Sequence, residues 1–150
     1  MKITLCGSIA FYNRMQEICA ELESFGHEVK LPPSMIEDDH GQMISVLDYY
    51  TQRKKEANDD SWIWQRKSEA MRSHFKKVEW ADVILVANED KRGIQSYIGA
   101  NTLLEMGLAF HLGKPIYLLN KIPNIESREE ILGMKSIELY GSIAYFANMV

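Results

Sequence analysis

Residues 97–107 read Tyr-Ile-Gly-Ala-Asn-Thr-Leu-Leu-Glu-Met-Gly, and the helix that follows the glycine carries a single carboxylate, Glu105, among apolar positions on every side. A buried glutamate needs either a partner or a chemical task. Two readings are open: Glu105 is a nucleophile or base at the mouth of a sheet, or Thr102-x-x-Glu105 is a capping box that satisfies backbone donors at a helix start. A second candidate is Gly7-Ser8-Ile9, just after a short apolar strand. Glycine permits close approach, Ser8 offers a hydroxyl, and a helix start offers N–H groups, a combination suited to an anion. The bland alternative is a tight turn with Ser8 as an N-cap. A third is His74, on a stripe with Ala70, Met71, Phe75 and Val78. It is a group that titrates near neutrality or a core histidine.

These residues need elements to place them. Residues 3–6 form a short buried strand, 11–25 a helix with Met15, Ile18, Cys19 and Leu22 at helical spacing, and 28–31 a second strand ended by Pro32-Pro33. Strand–helix–strand units of this kind are parallel and right-handed. Residues 34–66 are polar, of mixed charge, with aromatic islands at Tyr49-Tyr50 and Trp62-Ile63-Trp64; one or two helices, or a cover over the site, are expected there. Arg53-Lys54-Lys55 within it reads as a solvated helix face. A helix over 62–80, a buried strand over 83–87, the Glu105 helix to Leu112 stopped by Gly113, a buried strand over 116–119, a short helix over 127–132 and a last strand over 136–140 complete the alternation. The fold expected is a single three-layer α/β/α domain over 1–150 with about five parallel strands, flavodoxin-like or Rossmann-like, and an inserted, largely helical segment at 34–66. Ligands of such sheets bind outside the carboxyl ends of the strands, which gathers Gly7-Ser8-Ile9, the loop from Asn88, the turn before Asn101, and Glu105.

Composition narrows the partners. A net charge of −4 argues against nucleic acid or an anionic membrane surface, and no apolar run approaches a membrane span. The opening strand pattern lacks the features of a signal peptide, so a cytoplasmic location is expected. Cys6 and Cys19 fit neither a zinc knuckle nor a redox pair and read as small buried apolar residues; no metal site and no cofactor are expected. The standard dinucleotide fingerprint is absent.

Residues 83–107 together with Gly7-Ser8-Ile9 resemble the nucleoside 2-deoxyribosyltransferase superfamily, which includes the 2'-deoxynucleoside 5'-phosphate N-hydrolases. The resemblance covers the opening strand and Gly-Ser-Ile turn, the Ala81-Asp82 pair before a buried strand, the Thr102-x-x-Glu105-x-Gly107 helix and the Gly113-Lys114-Pro115-Ile116 segment. It implies that Glu105 attacks the anomeric carbon of a nucleoside sugar. Two positions depart from the pattern. The transferases carry an Asp six residues before the nucleophile, where it meets the sugar 5'-hydroxyl; this chain has Gly99, and the phosphohydrolases have a small residue there that leaves room for a 5'-phosphate. The Asp that the family places two turns before Ala-Asp is His74 here.

The resemblance therefore implies cleavage of the base–sugar bond of a (deoxy)nucleoside 5'-monophosphate through a covalent glycosyl-enzyme on Glu105, with His74 giving the departing base its proton. Gly7, Ser8 and Ile9 hold the phosphate with Arg14 as a helper, Gly99 makes room, Asn88 and Asn101 hydrogen-bond sugar or base, and Asp82 is structural. Base exchange by a transferase and a non-catalytic nucleotide-binding module are the alternatives. A phosphoribohydrolase of the kind that releases cytokinin bases ranks lower, because no Pro-Gly-Gly precedes Thr102. A homodimer is expected from the resemblance and from the apolar tail at 143–150, with a residue of the 130–136 region reaching a neighbouring subunit.

Overall fold

The computed structural model describes residues 1–149. Seven strands and five α-helices follow one another: β1 (Lys2–Cys6), α1 (Tyr12–Ser24), β2 (Glu28–Lys30), β3 (Met35–Glu37), β4 (Met43–Ser45), α2 (Val46–Lys55), α3 (Trp62–Trp80), β5 (Val83–Val86), α4 (Ala100–His111), β6 (Ile116–Leu118), α5 (Arg128–Gly133) and β7 (Ile137–Glu138). Five strands form a parallel sheet in the order β2-β1-β5-β6-β7. Counting only those five, this is the 2-1-3-4-5 order of flavodoxin-like sheets.

Side-chain alternation builds the other two layers. Ile3 and Leu5 of β1, Val83 and Leu85 of β5 and Tyr117 of β6 face α1, packing on Met15, Ile18 and Leu22. Cys6, Ile84, Val86, Ile116 and Leu118 point to the opposite face, against Val78 of α3, Met106 and Ala109 of α4, and Ile131 of α5. The three-layer architecture expected from the sequence is thus the one observed. Cys6 leaves β1 on the α3–α4 side, and this sets what its sulfur can touch.

The Gly-Lys-Pro segment has a structural task. Gly113 adopts φ +67° just past α4, a left-handed position suited to glycine. The Lys114 ammonium then donates to the carbonyls of Val78, Glu79 and Ala81, closing the end of α3. Asp82, at the same edge, accepts the Lys2 N–H at 2.7 Å, as its structural reading expects.

Residues 34–66 contain an element the spacing does not reveal. β3 and β4 pair as an antiparallel hairpin, whose turn is held by Asp38 Oδ1 accepting from the N–H groups of His40 and Gln42. Each strand has three residues, too few for alternation to register. Ser45 then caps α2, and the Tyr49 hydroxyl donates to the Ile63 carbonyl at 2.7 Å, fastening α2 to α3.

The tail is partly buried. Ile143–Asn148 is a 3-10 helix with Ile143 and Phe146 buried, and the His27 ring donates to the Phe146 carbonyl at 2.8 Å. Val150 lies outside the described residues. Ile143 and Phe146 of the tail pack on the core while Tyr145 is exposed; the exposed apolar side chains Leu104, Phe110 and Leu112 sit on or just after α4.

Candidate active site

A cavity of about 480 Å³ opens where β1 and β5 end. These two strands flank the point at which the strand order reverses, the place where sheets of this type bind ligands. Its floor is Gly7 and Ser8. Its walls are α2, α3, the loop after β5 and the first turns of α4. Gly7 is required there: a Cβ would lie 3.1 Å from the Ala87 carbonyl oxygen and 3.5 Å from the Ala87 Cβ. Of the sequence-derived candidates, Gly7, Ser8, Ile9, His74, Gly99, Asn101 and Glu105 all line this space.

Glu105 is not a cap. The N-cap of α4 is Gly99, so Thr102 and Glu105 both lie inside the helix and the capping-box geometry is absent. The carboxylate is 3 % exposed. Its Oε1 accepts from Asn101 Nδ2 at 2.9 Å, an i,i+4 pair, while Oε2 has no hydrogen-bond partner. Burial raises its pKa to about 7, against the opposing pull of Cys6, the Lys67 ammonium and Asn101. Near neutral pH the side chain is therefore divided between its acid and carboxylate forms.

His74 sits behind it. Nε2 is 3.8 Å from Glu105 Oε2 and 3.6 Å from Cys6 Sγ, and Nδ1 is unpartnered. Burial, and then the Lys77 charge, depress its pKa to about 4. At neutral pH the ring carries no charge, so its 3.8 Å approach to Glu105 is not an ion pair. This corrects the expectation of an imidazole titrating in the working range. A neutral ring lacks the imidazolium proton that a departing base would take, and its approach to Glu105 is one of packing.

Cys6, His74 and Glu105 each offer one ligand atom within 4.8 Å of the others. A metal would need the thiolate and the carboxylate. Burial disfavours both charged forms, and it pushes the Cys6 thiol well above its ordinary range.

Two candidates are engaged elsewhere. Asn88 is fully buried, with Nδ2 donating to the Lys121 carbonyl at 2.9 Å and Oδ1 accepting the Asn120 N–H at 2.8 Å; it ties the ends of β5 and β6 together. Arg14 pairs with Glu17 at 2.8 Å and Glu89 at 3.2 Å, off the cavity. The backbone N–H groups after Gly7 are likewise partly spent, since Ala10 N–H goes to Ser8 Oγ and Phe11 N–H to the Ser8 carbonyl. Gly99 has a packing reason as well: a Cβ there would meet Tyr97 Oη at 3.0 Å.

The cations that do reach the cavity went unassigned in the sequence. Lys91 Nζ donates to Ser8 Oγ at 3.0 Å and lies 4.7 Å from the Tyr97 ring centroid. Lys67 lines the α3 wall with Ala70, Met71 and His74, at i, i+3, i+4 and i+7. Burial and the charges of Arg53 and Lys54 lower its pKa to about 8, against the pull of Glu105. Its seven-residue spacing from His74 is the signal that could have found it. Arg53 and Lys54 also line the cavity; Lys54 and Lys55 are exposed, as a solvated face requires, and Arg53 is half-buried.

No protein-family model and no curated protein matches the sequence. Solved structures do match. The 2-deoxyribosyltransferase of the psychrotolerant bacterium Bacillus psychrosaccharolyticus aligns at TM-score 0.50 and 19% identity, over 79% of this chain and 71% of that one. The CMP N-glycosidase of Clostridium botulinum aligns at TM-score 0.51 and 14% identity, over 99% of this chain and 97% of that one. The fold is of the nucleoside 2-deoxyribosyltransferase type. At these identities the likeness is one of backbone architecture, and the chemistry of this chain rests on its own side chains.

Proposed function

We propose that this protein is an N-glycosidase that cleaves the base–sugar bond of a (deoxy)nucleoside 5'-monophosphate through a glycosyl-enzyme on Glu105. The observation that carries the reading is a buried carboxylate, Glu105, among the residues lining a nucleotide-sized cavity, with one of its oxygens lacking a hydrogen-bond partner. In the first step Glu105 Oε2 bonds to C1' as the bond from C1' to the base nitrogen breaks, its electron pair leaving with the base. In the second, water attacks C1' and gives a proton to the Lys67 amine left neutral by the first step, the ester bond to Glu105 breaks, and the carboxylate is restored. Asn101 holds Oε1 and His74 backs the carboxylate, so that Oε2 is the free oxygen.

The base must gain a proton as it leaves. Lys67, with a pKa near 8, is the group on the α3 wall that has one to give. Lys67→Met is expected to remove the alkaline limb of the pH–rate profile; a limb that survives the substitution assigns the proton to another group.

Lys91 and Ser8, bonded to each other at the cavity floor, are the natural phosphate contacts. Purified protein incubated with a panel of nucleosides and their 5'-monophosphates should release free base, detected by chromatography, without a second base as acceptor. The monophosphate should be used at least about tenfold better than its nucleoside, the worth of one charge-assisted hydrogen bond. Release that depends on an added base would favour the transferase, and no release from any compound would leave a nucleotide-binding module.

A further inference from the structure

Arg53 and Lys54 in the last turn of α2, Lys67 on α3 and Lys91 after β5 all line the one cavity. Among the described residues none of the four has a carboxylate within ion-pairing distance. Three of them surround one ring. The Arg53 guanidinium carbon lies 5.3 Å from the Tyr50 centroid, Lys54 Nζ 5.4 Å and Lys91 Nζ 5.3 Å. The only acidic residue lining the cavity is Glu105, at its inner end.

This concentration is not a consequence of composition, because the chain carries a net charge of −4. Three like charges around one phenol repel one another, and the ring faces offset only part of that cost. The strain registers on both partners. The Lys54 ammonium is held below its ordinary range by burial and by its cationic neighbours. Burial would raise the Tyr50 phenol, yet the hydrogen bond and charge of Lys91, with Lys54, bring it below its ordinary value. A phosphate monoester carries only about −1.5 to −2 near neutral pH. One such group on Ser8 and Lys91 leaves Arg53 and Lys54 unmatched.

We infer that the cavity mouth is built to take phosphates beyond the first, so that nucleoside 5'-di- and triphosphates bind the same site more tightly than the monophosphate, with their outer phosphates between Arg53 and Lys54. The inference rests on the nucleotide reading of the same site and extends it outward. The Tyr50 ring acts as a spacer that holds the cations apart along the path of the chain. Lys67, nearer Glu105, stays with the sugar and base.

The test is calorimetric titration of the whole protein, and of its Glu105→Gln form so that turnover does not consume ligand, with matched mono-, di- and triphosphates of each common nucleoside. Affinity is expected to tighten at least about tenfold from mono- to triphosphate at ~0.15 M salt, and the ratio is expected to collapse toward one in an Arg53→Ala, Lys54→Ala double variant. A monophosphate that binds as tightly as the triphosphate overturns the inference, as does a ratio that survives the double substitution. So does inorganic tripolyphosphate binding as well as the nucleoside triphosphate, since the mouth would then be an anion patch without a nucleotide. Base release without the affinity gain removes this inference and leaves the glycosidase. The gain without base release from any of the three removes the glycosidase and leaves the polyphosphate site.

Discussion

A Glu105→Gln protein is expected to fold, to bind nucleotide and to lose base release by at least about a thousandfold, the scale on which enzymes lose rate when a nucleophile is removed. The structure says why folding should survive. Gly99, not Thr102, caps α4, so no cap is lost. The amide oxygen can keep the 2.9 Å bond from Asn101, and the amide nitrogen takes the position of Oε2, which has no intramolecular partner to lose. A neutral amide also escapes the burial cost that lifts the carboxyl to about 7. The variant should therefore be at least as stable as the parent at pH 7. The chemistry should not survive, because an amide is a poor nucleophile toward C1' and the ester cannot form. Mass spectrometry of quenched single-turnover mixtures reads this directly: the parent protein should carry a sugar phosphate adduct and the variant none. A variant that releases base at the parental rate would remove Glu105 from the mechanism. An adduct persisting in the variant would move the nucleophile to another residue.

Particular residues mark how far the sequence could be read. Val83–Val86 and Ile116–Leu118 are apolar on both faces, as only strands buried between two layers are, so the sheet was legible. Glu105 stood out as a charge amid Leu103, Leu104, Met106 and Leu108, but the capping-box reading of Thr102-x-x-Glu105 stayed open until the structure put the N-cap at Gly99. Asn88 shows the opposite case. It stands at a strand end where ligands bind, yet its amide is consumed by backbone at 120 and 121, a pairing that depends on where β6 ends in space. Arg53 and Lys54 read as a solvated face, which the exposed Lys54 matches, but helical spacing does not say that the same helix end borders a cavity. The position of His74 was visible in the pattern, but its ionisation was not, since burial between β1, α3 and α4 sets it. The hairpin at 35–45 was hidden by strands of three residues.

The buried pair should also govern how stability responds to acid. The folded pKa of His74 lies below its ordinary value, at about 4 against 6.5, so between those values the unfolded chain binds more protons and stability falls as pH falls. The folded pKa of Glu105 lies above its ordinary value, at about 7 against 4.5, so in its window the folded chain binds more protons and stability falls as pH rises. The windows overlap from about pH 4.5 to 6.5, where the two slopes oppose and nearly cancel in the parent protein. Each shift is worth about 3 kcal/mol across its window, at ~1.4 kcal/mol per pH unit. Burial is the leading cause of both, and neither group is a leading cause of the other's shift, so removing one leaves the other in force. Glu105→Gln should thus lose about 3 kcal/mol relative to parent between pH 7 and pH 4.5, as the buried ring resists its proton. His74→Gln should gain about the same over that interval, as the buried carboxyl accepts one. Surface carboxylates titrate in all three proteins and drop out of the comparison. Urea unfolding at the two pH values measures it, and a domain of ordinary stability has the margin to remain folded through the loss. Parallel pH dependence in the three proteins would mean that His74 and Glu105 titrate at ordinary values, and the neutral ring assigned to His74 would have to be given up.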